Sequence, residues 1–450
     1  MANNQQPRDS FGTKLGIIAA AAGSAIGLGN IWKFPYITGI FGGGAFLVVY
    51  LICIALIGLP VMLAEFIIGR RGQKNAIGSF KALAGDSKWY LSGTMGIASA
   101  FMILSFYGVV AGWTLDYVIK SLTNTFAGLS PDEIGGVFGG VVSSTWTPIA
   151  WQILFMILTG FIVVAGIKDG IEKYAKILMP ILLVILLILD IRAITLPGAS
   201  KGLNFLFKPD FTKLSVEAVL SALGHAFFSL SLGMGTMITY ASYINKKENL
   251  GITALQVTIA DTAIALLAGV AIFPAVFAFG VEPSAGPGLV FITLPNVFQQ
   301  MPGGYFFGIL FFSLLAVAAL TSSISILEVV VAYFSEELDF DRKKATILAT
   351  IAITIVGIPA SLSMGIMSDF KIFGLNFFDT LDYISANILL PLGGLIISIF
   401  VGWKLGRNNV HDEVTSGGKY KAGYIPIFLI LTKVVAPIAI AIVFLNGILG

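Results

Sequence analysis

Three short stretches of the chain carry residue types able to hold a cation beside a carboxylate. The first reads Gly23-Ser24-Ala25-Ile26-Gly27-Leu28-Gly29-Asn30, followed by Ile31-Trp32-Lys33-Phe34-Pro35. The second reads Phe228-Ser229-Leu230-Ser231-Leu232-Gly233-Met234-Gly235. Each lies midway along an apolar run, where every glycine costs roughly 1 kcal/mol relative to alanine in a helix. Such stretches have two readings: close helix packing through small residues, or an unwound segment. An unwound segment offers free carbonyls to a cation, and the half-helix after it offers N–H groups to a carboxylate. Two of them five spans apart favour the second reading and point to a midplane site in a transporter built from inverted repeats. Neither is a dinucleotide loop, because no strand precedes it and the third glycine is missing. The third stretch, Ala318-Ala319-Leu320-Thr321-Ser322-Ser323, sets three hydroxyls in an apolar helix. They either bond back to the preceding turn or join the broken helices as ligands for Na⁺, a hard cation that takes oxygens.

The elements that must position these residues follow from composition. Apolar residues make up 57% of the 450-residue chain and charged residues 11%, with a mean hydropathy of +0.92. So few charges cannot cover a water-soluble fold of this size. Eleven membrane spans are read, at about 13–38, 43–69, 90–123, 149–167, 174–195, 216–243, 251–280, 304–336, 343–362, 377–403 and 424–447. Lys and Arg concentrate in alternate connections, which places the N-terminus inside and, with an odd count, the C-terminus outside. The long connections 195–215 and 281–303 are lid candidates. Residues 1–10 are polar and the first apolar run lacks a cleavage pattern, so no signal peptide is expected. A single cysteine, Cys53, and two distant histidines, His225 and His411, argue against disulfides and a zinc site. The net charge of +3 is too small for a nucleic-acid binder. No His/Cys cluster, G-x-S-x-G elbow or phosphate loop suggests an enzyme.

These segments, together with Gly42-Gly43-Gly44-Ala45-Phe46, resemble the signature segments of the neurotransmitter:sodium symporters, closest to the bacterial hydrophobic amino-acid members. The resemblance implies an all-α polytopic membrane protein: an inverted repeat of five plus five transmembrane helices with broken helices 1 and 6, plus one extra helix. The expected divisions are a cytoplasmic tail (1–7), a first repeat (8–197), an extracellular loop (198–215), a second repeat (216–403), a cytoplasmic loop (404–423) and an eleventh helix (424–450). Most members have twelve spans.

The resemblance also implies two bound sodium ions. One takes the carbonyls of Gly23, Ile26 and Ala318 with the hydroxyls of Thr321 and Ser322. The other takes the Ala25 carbonyl, Asn30, Ser229, position 261 and the substrate carboxylate, which makes ion and substrate bind together. The implied substrate site combines Ser24, Ala25, Gly27, Gly29, Ile103, Tyr107, Phe228, Ser229, Ser231, Met234, Ser322 and Ile326. Tyr107 bonds the carboxylate, and the Ser231 region receives the ammonium. Monoamine carriers have aspartate where this chain has Gly27, so the substrate brings its own carboxylate. Met234 is polarisable and repacks readily, which suits several hydrophobic or aromatic L-amino acids.

Charged residues inside spans carry functional expectations. Lys33 and Asp382 match the outer gate, with lysine in place of the usual arginine. Arg8 and Glu336 match the inner gate, with Phe11 where tryptophan is usual. Asp261 stands where the family usually has asparagine, and His225 where glutamine is usual. With Tyr50 and Ser229 they form the neighbourhood that binds chloride in some relatives. A carboxylate there implies no chloride requirement, and either Asp261 or His225 is expected to take up a proton on the return step. Glu65 is expected to support the second break. Gly170 and Pro180 mark a hinge in the fifth span. The expected function is sodium-coupled import of hydrophobic L-amino acids by alternating access, in a lipid bilayer and with no obligate protein partner. The rivals are a proton-coupled or sodium-independent transporter of the same fold and a non-transporting amino-acid sensor.

Overall fold

The computed structural model describes residues 9–85, 87–280 and 288–449, so the 1–7 tail and Arg8 lie outside the described residues. In chain order the helices are α1 (Lys14–Ala25), α2 (Gly29–Ile40), α3 (Gly44–Gly72), α4 (Ala76–Ala84), α5 (Tyr90–Leu122), α6 (Pro131–Ser143), α7 (Thr147–Val164), α8 (Ile167–Ile194) and α9 (Ala199–Phe207). They continue as α10 (Val216–Ser229), α11 (Thr236–Ala241), α12 (Leu250–Ala278), α13 (Leu294–Gln300), α14 (Gly304–Glu337), α15 (Arg342–Leu362), α16 (Phe377–Leu405), α17 (Arg407–Thr415) and α18 (Ile425–Leu449). Among the described residues nine helices are long and apolar enough to cross a membrane, and α1 with α2 makes a tenth span bent by 48°. The protein is therefore a multi-pass, all-helical membrane protein with a broken first span. The segment 216–241 is split into helices of 14 and 6 residues, each too short to span alone.

The long helices α5 and α14, 33 and 34 residues, pack along each other at the centre. A small residue also lets α7 approach α5 closely: a Cβ on Gly112 of α5 would lie 2.8 Å from the Gln152 backbone of α7. Helices α7, α8, α15 and α18 turn Phe161, Val184, Ile191, Ile355, Ile438 and Ile442 outward. Exposed apolar faces on this scale suit lipid rather than water. The 404–423 segment is not simply loop: α17 carries Glu413, whose buried carboxylate accepts from Arg70 Nε at 2.8 Å. Arg70 also donates to the carbonyls of Glu413 and Glu248, tying α3, α17 and the turn before α12 together.

The start of α3 depends on Gly43, at φ +71°, where a Cβ would sit 2.1 Å from the Phe205 carbonyl oxygen of α9. The left-handed backbone alone costs a larger residue about 1–2 kcal/mol, and the clash adds to that. Gly43→Ala is expected to lower the melting temperature of the purified protein by several degrees. An unchanged melting curve would contradict this account of the junction.

Candidate functional site: a midplane pocket between two oxygen clusters

Both glycine-rich stretches interrupt their helices. Helix α1 stops where Ile26 turns extended, at φ −76° and ψ 102°, so the carbonyls of the last turn are freed. The 230–235 stretch holds Ser231, Gly233 and Gly235 at φ 54°, 78° and 77°. Glu65 of α3 is buried beside it and accepts the Gly233 N–H at 2.7 Å, replacing a helical bond the turn cannot make. A Cβ on Gly233 would lie 2.4 Å from the Leu390 carbonyl of α16. The left-handed turn and this close approach therefore both require glycine.

One polar cluster joins α2, α10 and α12. Asn30 Nδ2 donates to Asp261 Oδ1 at 2.7 Å, to the Asp261 carbonyl at 3.1 Å and to Ser229 Oγ at 3.2 Å. Ser229 Oγ donates to Asp261 Oδ1 at 2.9 Å. The Asn30 oxygen accepts the Gly27 N–H at 3.0 Å. All three side chains are buried. His225 lies nearby, its ring 5.3 Å from Tyr50 and 5.9 Å from Phe34, and neither of its nitrogens has a partner among the described residues.

A second cluster joins α1 and α14. Thr321 Oγ1 donates to the carbonyls of Ala318 at 3.0 Å and Ile26 at 3.4 Å. Ser322 Oγ lies 3.2 Å from the Ile26 carbonyl and 3.4 Å from that of Gly23. All five oxygens read from the sequence thus converge.

Between the clusters lies a narrow pocket, walled by Ser24, Ala25, Gly27, Leu28 and Gly29 on one side. Ile103, Tyr107, Phe228, Ser231, Met234, Ser322 and Ile326 complete it. Tyr107 Oη accepts the Leu28 N–H at 3.2 Å, and Ser231 Oγ donates to the Ser24 carbonyl at 3.0 Å. Ser229 is not on this wall, since its hydroxyl turns back to Asp261. Leu28 takes that place and contributes chiefly a backbone N–H, which its side-chain type did not signal.

Tyr107, Phe228 and Leu28 also line a wider vestibule of about 220 Å³ that holds Lys33 and Asp382. The two charges face one space without an ion pair: Lys33 Nζ sits 4.5 Å above the Phe228 ring instead. On the opposite side Phe11 is buried edge-on against Tyr240 and Tyr243, 5.8 and 6.3 Å between ring centres. Glu336 accepts the Asn75 N–H at 2.7 Å. The sequence reading missed Glu328, which binds Arg342 at 2.6 Å and Tyr243 Oη at 2.8 Å while fully buried. A carboxylate two turns beyond Ser322 in an apolar helix was the available signal. Gly170 lies in a wide π-type turn that opens α8, and the helix continues through Pro180 without unwinding. Glu172 in that turn accepts from Gly12 N–H and Thr13 Oγ1 at 2.6 and 2.7 Å, pinning the start of α1.

Two broken helices meet around one small pocket with a cluster of polar oxygens on either side, an arrangement suited to a membrane transporter. A model of the sodium:neurotransmitter symporter family matches residues 8–130 and 143–450, and the chain belongs to that family. It is 42% identical over 443 residues to the uncharacterised sodium-dependent transporter YhdH of Bacillus subtilis, covering 98% of both chains. An uncharacterised sodium-dependent transporter of Haemophilus influenzae is 40% identical, over 99% of this chain and 100% of its own. The crystal structure of MhsT in complex with L-phenylalanine superimposes with a TM-score of 0.91 at 48% identity, over 98% of this chain and 100% of that one.

The pocket has little room at Gly27, where a Cβ would lie 2.3 Å from Ser322 Oγ and 2.9 Å from Tyr107 Oη. Gly27→Ala is expected to abolish amino-acid binding, measured by scintillation proximity, while leaving the melting temperature within a few degrees. Retained binding would show that the ligand lies elsewhere.

Proposed function

We propose that the protein is a sodium-coupled symporter that imports hydrophobic and aromatic L-amino acids by alternating access. The observation that carries the reading is the junction of one small pocket with two oxygen clusters, Ser322 belonging both to the pocket wall and to one cluster. The L-phenylalanine in MhsT supports the substrate class. The walls Ile103, Phe228, Met234 and Ile326 suit an apolar side chain, and Gly27 leaves no acid to receive a monoamine.

Two sodium ions travel with the substrate. One takes the Gly23, Ile26 and Ala318 carbonyls with Thr321 and Ser322. The other takes Ala25, Asn30, Ser229, Asp261 and the substrate carboxylate. Asn30 turns its N–H₂ toward Asp261 and its oxygen toward Gly27. Rotating that terminal amide by 180° brings the oxygen to the ion. The same rotation withdraws the acceptor from the Gly27 N–H and frees it for the carboxylate. Ion and substrate thereby favour one side-chain orientation, which is a coupling free energy. Amide orientation is set by the surrounding hydrogen bonds, so the switch needs no backbone movement. Asp261 supplies the fixed negative charge beside sodium and makes chloride unnecessary. On the return step Asp261 takes up a proton in place of the ion, and His225 keeps its apolar stacking.

Alternating access moves spans one, two, six and seven against the others within two inverted repeats, 8–197 and 216–403. The 216–241 segment counts as the sixth of eleven spans, with the N-terminus inside. Lys33 and Asp382 close the outer vestibule; Phe11, Glu336 and Arg8 close the inner side. Unwinding between Gly170 and Pro180 opens the inner path.

The test is uptake of radiolabelled leucine and tryptophan into proteoliposomes with an inward sodium gradient and chloride replaced by gluconate. Uptake should require sodium, persist without chloride and fall to background in Asn30→Ala. Asp261→Asn should acquire a chloride requirement. Sodium-independent uptake would favour a proton-coupled carrier, and binding without accumulation a sensor.

A further inference from the structure

A separate pocket of about 260 Å³, open to the surface on one side, lies away from the midplane at the ends of α5 and α14. The turn 124–128 and α13 close it. Its walls are aromatic, with Phe126, Phe298, Tyr305 and Phe312. None of the residues lining it is Asp, Glu, Lys, Arg or His. The neighbouring ammonium of Lys120 is held by Asp116 at 2.8 Å and adds no free charge.

Two hydrogen bonds brace the rim. Tyr305 Oη donates to the Leu122 carbonyl at 3.0 Å, and Gln299 Nε2 donates to the Phe126 carbonyl at 2.6 Å. Ser121 differs from these. It is 95% buried, yet its hydroxyl has no partner among the described residues. The hydroxyl lies 3.9 Å from where a Cβ on Gly308 would stand, and both residues line the cavity. Gly308 keeps the α14 side of the space open, while Gly304 lets the Phe298 backbone pack against the start of α14. A buried hydroxyl without a partner calls for an explanation, and a largely apolar pocket with a few polar groups is the usual shape of a small-molecule site; of the polar side chains here, Asn124, Gln299 and Tyr305 lie at the rim and Ser121 alone is deeply buried.

We propose that this cavity is a second binding site, for a small uncharged aromatic molecule with one hydrogen-bond donor, of the phenol or indole class. The donor reaches Ser121 Oγ, and the ring packs among Phe126, Phe298 and Phe312, where offset or edge-on contacts are favourable. A carboxylate or ammonium is disfavoured because nothing on the walls would pair with it. The site therefore differs in chemistry from the midplane pocket, where the free amino-acid charges are bound.

The experiment uses the full-length protein with 4-fluorophenol as the probe. Binding is followed by fluorine NMR in saturating sodium and L-phenylalanine, so that the midplane pocket is filled. Crystals soaked in 4-bromophenol locate the bromine by anomalous scattering. Saturable binding is expected, with a bromine peak between Ser121 and Phe312. Ser121→Ala should weaken binding by about 3- to 10-fold, the loss of one hydrogen bond. Gly308→Leu, which fills the cavity, should abolish it. Retained L-phenylalanine binding shows that each variant is folded. If Gly308→Leu disrupts folding, Gly308→Ala is the substitute, since its Cβ meets only ordinary contacts at 3.6 Å or more; it should weaken binding measurably. No bromine peak in the cavity, or equal probe affinity in a folded cavity-filling variant and the parent, would overturn the proposal.

Discussion

A polypeptide that stops being helical in the middle of a membrane must find partners for the backbone groups it releases, because lipid offers none. This protein meets that constraint twice within one small volume. Around 26–29 the freed groups are answered by Tyr107 Oη, the Asn30 oxygen and the α14 hydroxyls. Around 230–235 they are answered by Glu65. Long, straight α5 and α14 provide the rigid wall against which both breaks are held. Glycine is needed at Gly233, where the Leu390 backbone approaches closer than a Cβ allows, and at Gly27 a Cβ would press on the Ser322 and Tyr107 hydroxyls that line the pocket.

Those substitutes are also the groups a symporter needs. A carbonyl accepting from Thr321 or Ser322 can turn to a cation at little cost, since a hydroxyl serves as donor or ligand with a small rotation. An N–H shared with Asn30 can be passed to a substrate carboxylate. In the proposed cycle each ligand takes up groups that had been occupied by internal hydrogen bonds. The favourable balance arises only when ion and amino acid arrive together, so coupling follows from the same economy that makes the breaks tolerable. In that cycle Asp261 supplies a compensating negative charge beside one cluster while the ion is bound.

Much of this arrangement was legible in the sequence. Glycines at helix-breaking positions in two apolar runs located the site, and the likeness to a known family supplied the ligand sets that spacing alone cannot give. The oxygens of Gly23, Ile26, Ala318, Thr321 and Ser322 lie together, and the pocket wall from Ser24 to Ile326 takes in Leu28 where the likeness had placed Ser229. Other features depend on tertiary contacts with no local signature. Leu28 matters through its N–H, so its apolar side chain concealed the role. Glu328 pairs with Arg342 on the next helix, and Arg70 finds Glu413 across most of the chain's length. Lys33 and Asp382 share a vestibule as expected, but the short lysine point charge rests on Phe228, where a forked guanidinium could have reached farther. The aromatic cavity near Ser121 is assembled from a turn, a short helix and two helix ends, a combination that periodicity does not reveal.

The central claim is that sodium and amino acid stabilise one arrangement of the two breaks. Equilibrium binding of L-phenylalanine to the purified protein tests it most directly, measured across sodium concentrations from micromolar to hundreds of millimolar at constant ionic strength. The account predicts that log affinity rises with log sodium concentration with a limiting slope approaching about two, one for each ion linked to substrate. An affinity unchanged across that range would contradict it.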